Sequence, residues 1–162
     1  MIREVIGLSL VLLVFVIAWR IYRSVQRKKE QQQLQLPAPT PSAGGVDHGQ
    51  VFYASTVFAN SPLTRVWAHG LGGRGKAQLF LSSDGISLER VGEPSLLIPN
   101  DDLHAMHRTS ATIDKGVERD GLLALVWELG GQKLITNLRI VDPARRDAIE
   151  TAITNLTGVK RG

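Results

Sequence analysis

The loop Gly70-Leu71-Gly72-Gly73-Arg74-Gly75-Lys76 has residue types and spacing that suggest phosphate chemistry. Gly70, Gly72 and Gly75 fit G-x-G-x-x-G, while Gly70, Gly75 and Lys76 fit the Walker A pattern up to its final Ser or Thr. The context argues against both. A P-loop needs a helix directly after the Lys, so that backbone N–H groups converge on the phosphate, and a hydroxyl for magnesium. Ala77 supplies no hydroxyl, and Gln78-Leu79-Phe80-Leu81 alternates as a strand. A kinase-type glycine loop does join two strands, yet the chain has no Val-Ala-x-Lys strand, no Asp-Phe-Gly and no His-Arg-Asp. We read a hairpin loop that takes no nucleotide.

His104-x-x-His107 beside Asp101 and Asp102 invites a metal. On a strand that spacing puts the two rings on opposite faces, although on a helix they could meet. No cysteine occurs anywhere, which removes thiolate chemistry, disulfides and sulfur-ligated zinc. The Asp pair is read as turn or capping residues and no metal is expected. A nucleophile elbow, a Ser/His/Asp arrangement and paired carboxylates beside a cleft are all missing from the pattern. The expectation is a protein that is not an enzyme, with no catalytic residues and no cofactor. Trp67 and Trp127 lie in apolar runs of strand length and read as core or interface anchors rather than platforms for stacked bases.

The elements that must position these residues begin with a charge asymmetry. Of 162 residues, 19 are Lys or Arg and 15 are Asp or Glu, a net charge of +4. Arg3, Arg20, Arg23, Arg27, Lys28 and Lys29 face only Glu4 and Glu30 within the first 30 residues, so the whole excess sits there. The remainder is neutral, which speaks against a nucleic-acid surface. Between Glu4 and Arg20 every residue is uncharged and most are Val, Leu or Ile. At ~1.5 Å per residue this run is short for a ~30 Å hydrocarbon layer, and the flanks extend it. Trp19 and Tyr22 suit the headgroup boundary, while Arg20, Arg23, Arg27, Lys28 and Lys29 act as interface anchors. Five basic residues follow the apolar run, unlike a signal peptide, while Arg3 before it is partly offset by Glu4. The positive-inside rule then places the N-terminus outside and the rest of the chain in the cytoplasm.

The expected organisation is a membrane anchor at 1–22, a basic juxtamembrane helix and Pro/Gly-rich linker at 23–50, a folded domain at 51–157 and a tail at 158–162. Good helix formers continue from Arg20 to Leu36 until Pro37 stops them, and the stretch from Pro37 to Gly45 reads as an extended, mobile tether. Beyond it come strand-length apolar runs at Val51–Phe58, Leu63–His69, Lys76–Ser82, Gly85–Arg90, Ser95–Ile98, Leu103–Ile113 and Leu122–Leu129, with Gln132–Ile140 as an eighth candidate. Ser83-Asp84-Gly85 and Gly130-Gly131 mark tight turns. Asp142 caps and Pro143 starts a helix whose Ala148, Ile149, Ala152, Ile153 and Leu156 recur at helical spacing, and Gly158 ends it. That helix belongs across one open end of a curled sandwich.

The segments LFLSSDGISLER (79–90) and SLLIPNDDLHAM (95–106), together with the terminal helix, resemble a bacterial pleckstrin-homology-like (PH-like) domain. Joined to one N-terminal span, the chain is similar to small actinobacterial membrane proteins. The resemblance implies a mostly β (α+β) fold: a curled antiparallel sandwich or barrel of about seven strands in two near-orthogonal sheets, closed by a C-terminal helix. It also implies a binding role. In PH domains that bind phosphoinositides, basic residues near an early inter-strand loop hold the phosphates, and Arg65, Arg74 and Lys76 occupy a broadly similar region. The leading expectation is a scaffold that docks a protein partner or self-associates at the inner membrane face. Anionic-lipid sensing through loop 65–76, or service as an accessory subunit in transport or export, are the alternatives.

Overall fold

The computed structural model describes residues 2–109 and 121–159. Its first element is one unbroken helix, α1 (Ile2–Gln35), about 50 Å long at 1.5 Å per residue. Its apolar residues stand away from the folded domain, and it is the one described helix long and apolar enough to cross a membrane. Gln32 accepts the amide of Leu36 at 2.9 Å as the last helical bond, and Pro37 cannot continue the pattern.

Eight strands follow among the described residues: β1 (Val46–Phe58), β2 (Ser61–Arg65), β3 (Gly75–Ser82), β4 (Gly85–Arg90), β5 (Leu96–Pro99), β6 (Leu103–Thr109), β7 (Leu122–Leu129) and β8 (Gln132–Arg139). They form one antiparallel sheet in the order β5-β4-β3-β1-β8-β7-β6, with β2 added to the end of β1. The long β1 is the seam. From Val46 to Tyr53 it pairs with β3, and from Phe52 to Phe58 with β8. Irregularities between Asp47 and Gly49 on the β3 side and between Tyr53 and Ser55 on the β8 side bend it, as bulges do. The two halves of the sheet thus form two layers joined through one strand. Leu79, Ile86, Leu88 and Ile98 from one layer share a core with Leu123, Leu125, Trp127 and Leu138 from the other. The sheet is curled but not a closed barrel, since β5 and β6 remain its outer strands.

The turns agree with their residues. Gly130 and Gly131 both have positive φ between the paired Leu129 and Gln132, as a type I′ hairpin requires. The second helix, α2 (Pro143–Thr157), has Asp142 accepting the Ala144 amide at 3.0 Å and ends on left-handed Gly158. Ile149 and Ile153 plug the core from its open side.

Three expectations change. The run at Leu63–His69 is not one strand: β2 ends at Arg65, and a 3-10 turn at Ala68–Gly70 follows, with His69 at φ 51°. The reason is burial, because Val66, Ala68 and Leu71 are all fully buried by a compact turn that a strand could not make. Next, β1 begins at Val46, five residues before its apolar run, because Gly49 at positive φ and the Asp47 carboxylate, which accepts the Gly49 amide at 2.6 Å, carry the pairing through polar sequence. Finally, the stretch from Pro37 to Gly45 is extended yet has fixed partners. The Leu97 amide donates to the Thr40 carbonyl at 2.8 Å, the Ser42 amide to Ser95 Oγ at 3.0 Å and the Ala43 amide to Ser87 Oγ at 3.3 Å. It lies along β5. The sequence reading of strand at 110–113, like tail residues 160–162, falls outside the described residues.

Leu36, on the edge of this stretch, is 2 % exposed and belongs to the core. Leu36→Ala in the full-length protein should therefore lower stability by about 2–3 kcal/mol in equilibrium denaturation, the usual cost of such a cavity. A residue in a free tether would change nothing.

Candidate functional site

The glycine-rich loop is filled by the chain itself. A Cβ on Gly72 would stand 2.5 Å from the Trp67 ring and 2.9 Å from the Val66 carbonyl oxygen. One on Gly73 would stand 2.5 Å from a Glu93 carboxylate oxygen, and one on Gly70 would collide with the other. Gly70, Gly72 and Gly73 are thus explained by close packing of Trp67 and Glu93, while Gly75 has open space beside it. No helix follows; Lys76 lies in β3.

The basic residues of this region separate into two kinds. Arg65 is half-buried and committed: its Nη1 donates to the Gly72 carbonyl at 3.0 Å, and its guanidinium lies 5.8 Å from the Trp67 ring centroid. Arg74 and Lys76 are exposed and, with Glu93, border a cavity of only about 10 Å³, room for roughly one water. Arg90, which the sequence reading missed, lies beneath. It is 8 % exposed, donates from Nη1 to the Gly70 carbonyl at 2.7 Å and from Nη2 to the Pro94 carbonyl at 2.6 Å, and stacks 4.9 Å from the Tyr53 ring. Its charge is spent on tying two loops together. The sequence signal was weak: a single Arg ending an apolar strand.

Tyr53 starts a buried polar chain. Its hydroxyl donates to the Leu71 carbonyl at 2.9 Å and meets Thr56 Oγ1, which lies 2.8 Å from Thr136 Oγ1, and Trp127 Nε1 donates to the latter at 2.9 Å. Trp127 is therefore a core anchor with its N–H satisfied, as expected. Trp67 instead lies outside any strand, half-buried over Gly72.

The end of α1 docks beside this loop. Gln32 Oε1 accepts the Trp67 amide at 2.5 Å, Gln32 Nε2 donates to the Arg65 carbonyl at 3.4 Å, and the His69 ring bonds the Leu36 carbonyl at 2.8 Å. Pro37 packs on Gly130. Upstream, Trp19, Arg20, Tyr22, Arg23, Arg27 and Lys28 are all exposed on α1, with Arg23 4.4 Å from the Trp19 ring centroid. The Lys29 side chain lies outside the described ones. From Tyr22 to Gln32 the helix rises about 15 Å, so the docked loop stands close beyond the residues expected at the headgroups. His104 meets Glu128 at 3.3 Å, and no group of three or more His, Cys, Asp or Glu comes together among the described residues.

Residues 31–154, which hold this sheet and most of its closing helix, match the family model described as bacterial PH domain-like. The chain belongs to that family. No curated protein matches it. The matched stretch of this bacterial PH-like protein begins inside α1, so it takes in Gln32 and Leu36. PH-like domains are in general non-catalytic binding modules, and membership supports a binding or scaffold role.

Burial, opposed by the nearby Arg90 charge, raises the Tyr53 phenol from 10.0 to about 12. A folded value above the unfolded one gives stability that is complete below the unfolded value and is lost as pH climbs through the folded one. The wild type should accordingly lose stability between pH 10 and about 12, and Tyr53→Phe, less stable at neutral pH by about 1–2 kcal/mol, should lack that component of the fall. Denaturant titrations of both across this range check it.

Proposed function

We propose that this protein is a single-pass membrane scaffold, with α1 in the plasma membrane, its N-terminus outside and the PH-like domain in the cytoplasm docking a protein partner without catalysis. The observation that carries the reading is the clamp between the end of α1 and the loop at 65–69. A domain fixed to its anchor presents the same surface to the membrane plane at all times. Confinement to that plane raises the effective concentration of partners already there, so a modest contact suffices. The cations after the apolar run support the orientation.

Arg74 and Lys76 favour a second reading, in which the exposed loop cations touch anionic lipid, each worth roughly 1 kcal/mol before screening. The two readings diverge in one experiment. Crosslinking in intact membranes should recover one dominant protein partner, and its yield should persist when Arg74 and Lys76 are both changed to Glu. Loss of that partner on charge reversal would favour lipid contact instead. Protease added outside intact cells should leave the domain whole, and its digestion there would overturn the orientation.

A further inference from the structure

One face of α1, just past the apolar run, carries cations and no acid. A groove of about 620 Å³ runs along it from Trp19 to Gln31, walled by Arg20, Arg23, Arg27 and Lys28, with Ser24 between them. Their spacing of three and four residues puts them on one side of the helix, and all are exposed. Glu30, the one carboxylate on this part of α1, lines the adjoining groove with Tyr22 and Gln26 instead. Among the described residues no ion pair joins Glu30 to Arg23 or Arg27, and Arg20 and Lys28 meet no carboxylate. Like charges at these spacings oppose the helix, and an anion lying among them relieves the repulsion.

The direction of the side chains narrows what that anion is. Side chains leave a helix tilted toward its N-terminus, which here is the membrane end. Arg23 follows the rule: its guanidinium lies 4.4 Å from the ring centroid of Trp19, one turn back. The same tilt carries Arg27 and Lys28 toward the level of Arg23 and Ser24. The cations therefore gather near Trp19, a residue type that sits at the headgroup boundary.

We propose that this face of α1 binds the headgroup of an anionic glycerophospholipid. The phosphate lies among Arg20, Arg23, Arg27 and Lys28, where guanidinium groups bind phosphate oxygens in pairs, and Ser24 and Gln31 offer further hydrogen bonds. Charge complementarity and depth choose this occupant, since lipid phosphates sit at the level of Trp19 and an acidic protein would have to enter the headgroup layer to reach it. The site is separate from the loop cations Arg74 and Lys76. It rests on the reading of α1 as a membrane span, and it adds which lipid that span holds. A headgroup held here fixes the depth of α1, and so of the domain clamped to its end.

The test places the full-length protein in nanodiscs of phosphatidylcholine and phosphatidylglycerol in equal amounts, and native mass spectrometry counts the lipids that stay bound on release. Phosphatidylglycerol should be retained over phosphatidylcholine by about tenfold. Two charge-conserving exchanges, Arg27→Gln with Gln33→Arg and Lys28→Gln with Gln26→Lys, move a cation to the other side of the same helix. Each should lower that ratio about fivefold, the size of one cation's attraction to anionic lipid. Lys76→Gln should leave it unchanged. Wild-type retention by both exchange variants overturns the site, because net charge alone then accounts for the preference. Displacement of the bound lipid by excess glycerol 3-phosphate overturns the assignment to a membrane lipid. A wild-type protein that enters the nanodiscs and retains both lipids equally refutes the site while the membrane span stands, whereas failure to enter them removes both.

Discussion

The last turn of α1 carries an amide side chain, Gln32, the residue just after the helix is an apolar one, Leu36, and the domain needs both. Gln32 satisfies the Trp67 amide and reaches the Arg65 carbonyl, while Leu36 completes the core. Burying one Leu is worth roughly 2 kcal/mol, and an unmet buried amide costs a comparable amount. Helix and domain therefore hold one another. In the proposed membrane arrangement, a helix held in this way would set the height and facing of every domain surface from where the apolar run ends.

Charge is distributed in keeping with that constraint. The cations that look available in sequence differ in burial: Arg65 and Arg90 are held against loop carbonyls, and Arg74 and Lys76 are exposed. The glycine-rich loop has its space taken by Glu93 and Trp67. Arg108 is kept protonated far above its ordinary range chiefly by its hydrogen bond to Glu150, against the opposing effect of burial. That pair joins α2 to β6 across the open side of the sheet. The same linker that connects α1 to β1 also protects one sheet edge, so connection and edge protection are a single feature.

Much of this was legible in the residues. β4 and β7 occupy Gly85–Arg90 and Leu122–Leu129 as their alternation and flanking turns imply, and Asp142, Pro143 and Gly158 bound α2 as their capping chemistry requires. These signals are local. What the sequence hid depends on distant partners: an apolar run reads alike in a strand and in the buried turn Val66–Leu71, and Pro37–Gly45 looks unattached because its bonds go to the hydroxyls of Ser87 and Ser95. Gln32 sits in a run of glutamines, so nothing nearby distinguishes it. The candidate site was half visible, in the loop cations, and half hidden, since Arg90 and the Arg108 bridge acquire their roles only when separate strands and helices meet.

Because the chain has no cysteine, paired labels can be introduced without background. Spin labels at S24C on α1 and S83C in the β3–β4 turn, in nanodiscs, measure the rigidity of the clamp by electron–electron dipolar coupling. A fixed attachment predicts one narrow distance distribution. A broad distribution spanning the range of a freely jointed linker would contradict it, and with it the claim that the membrane helix sets the orientation of the domain.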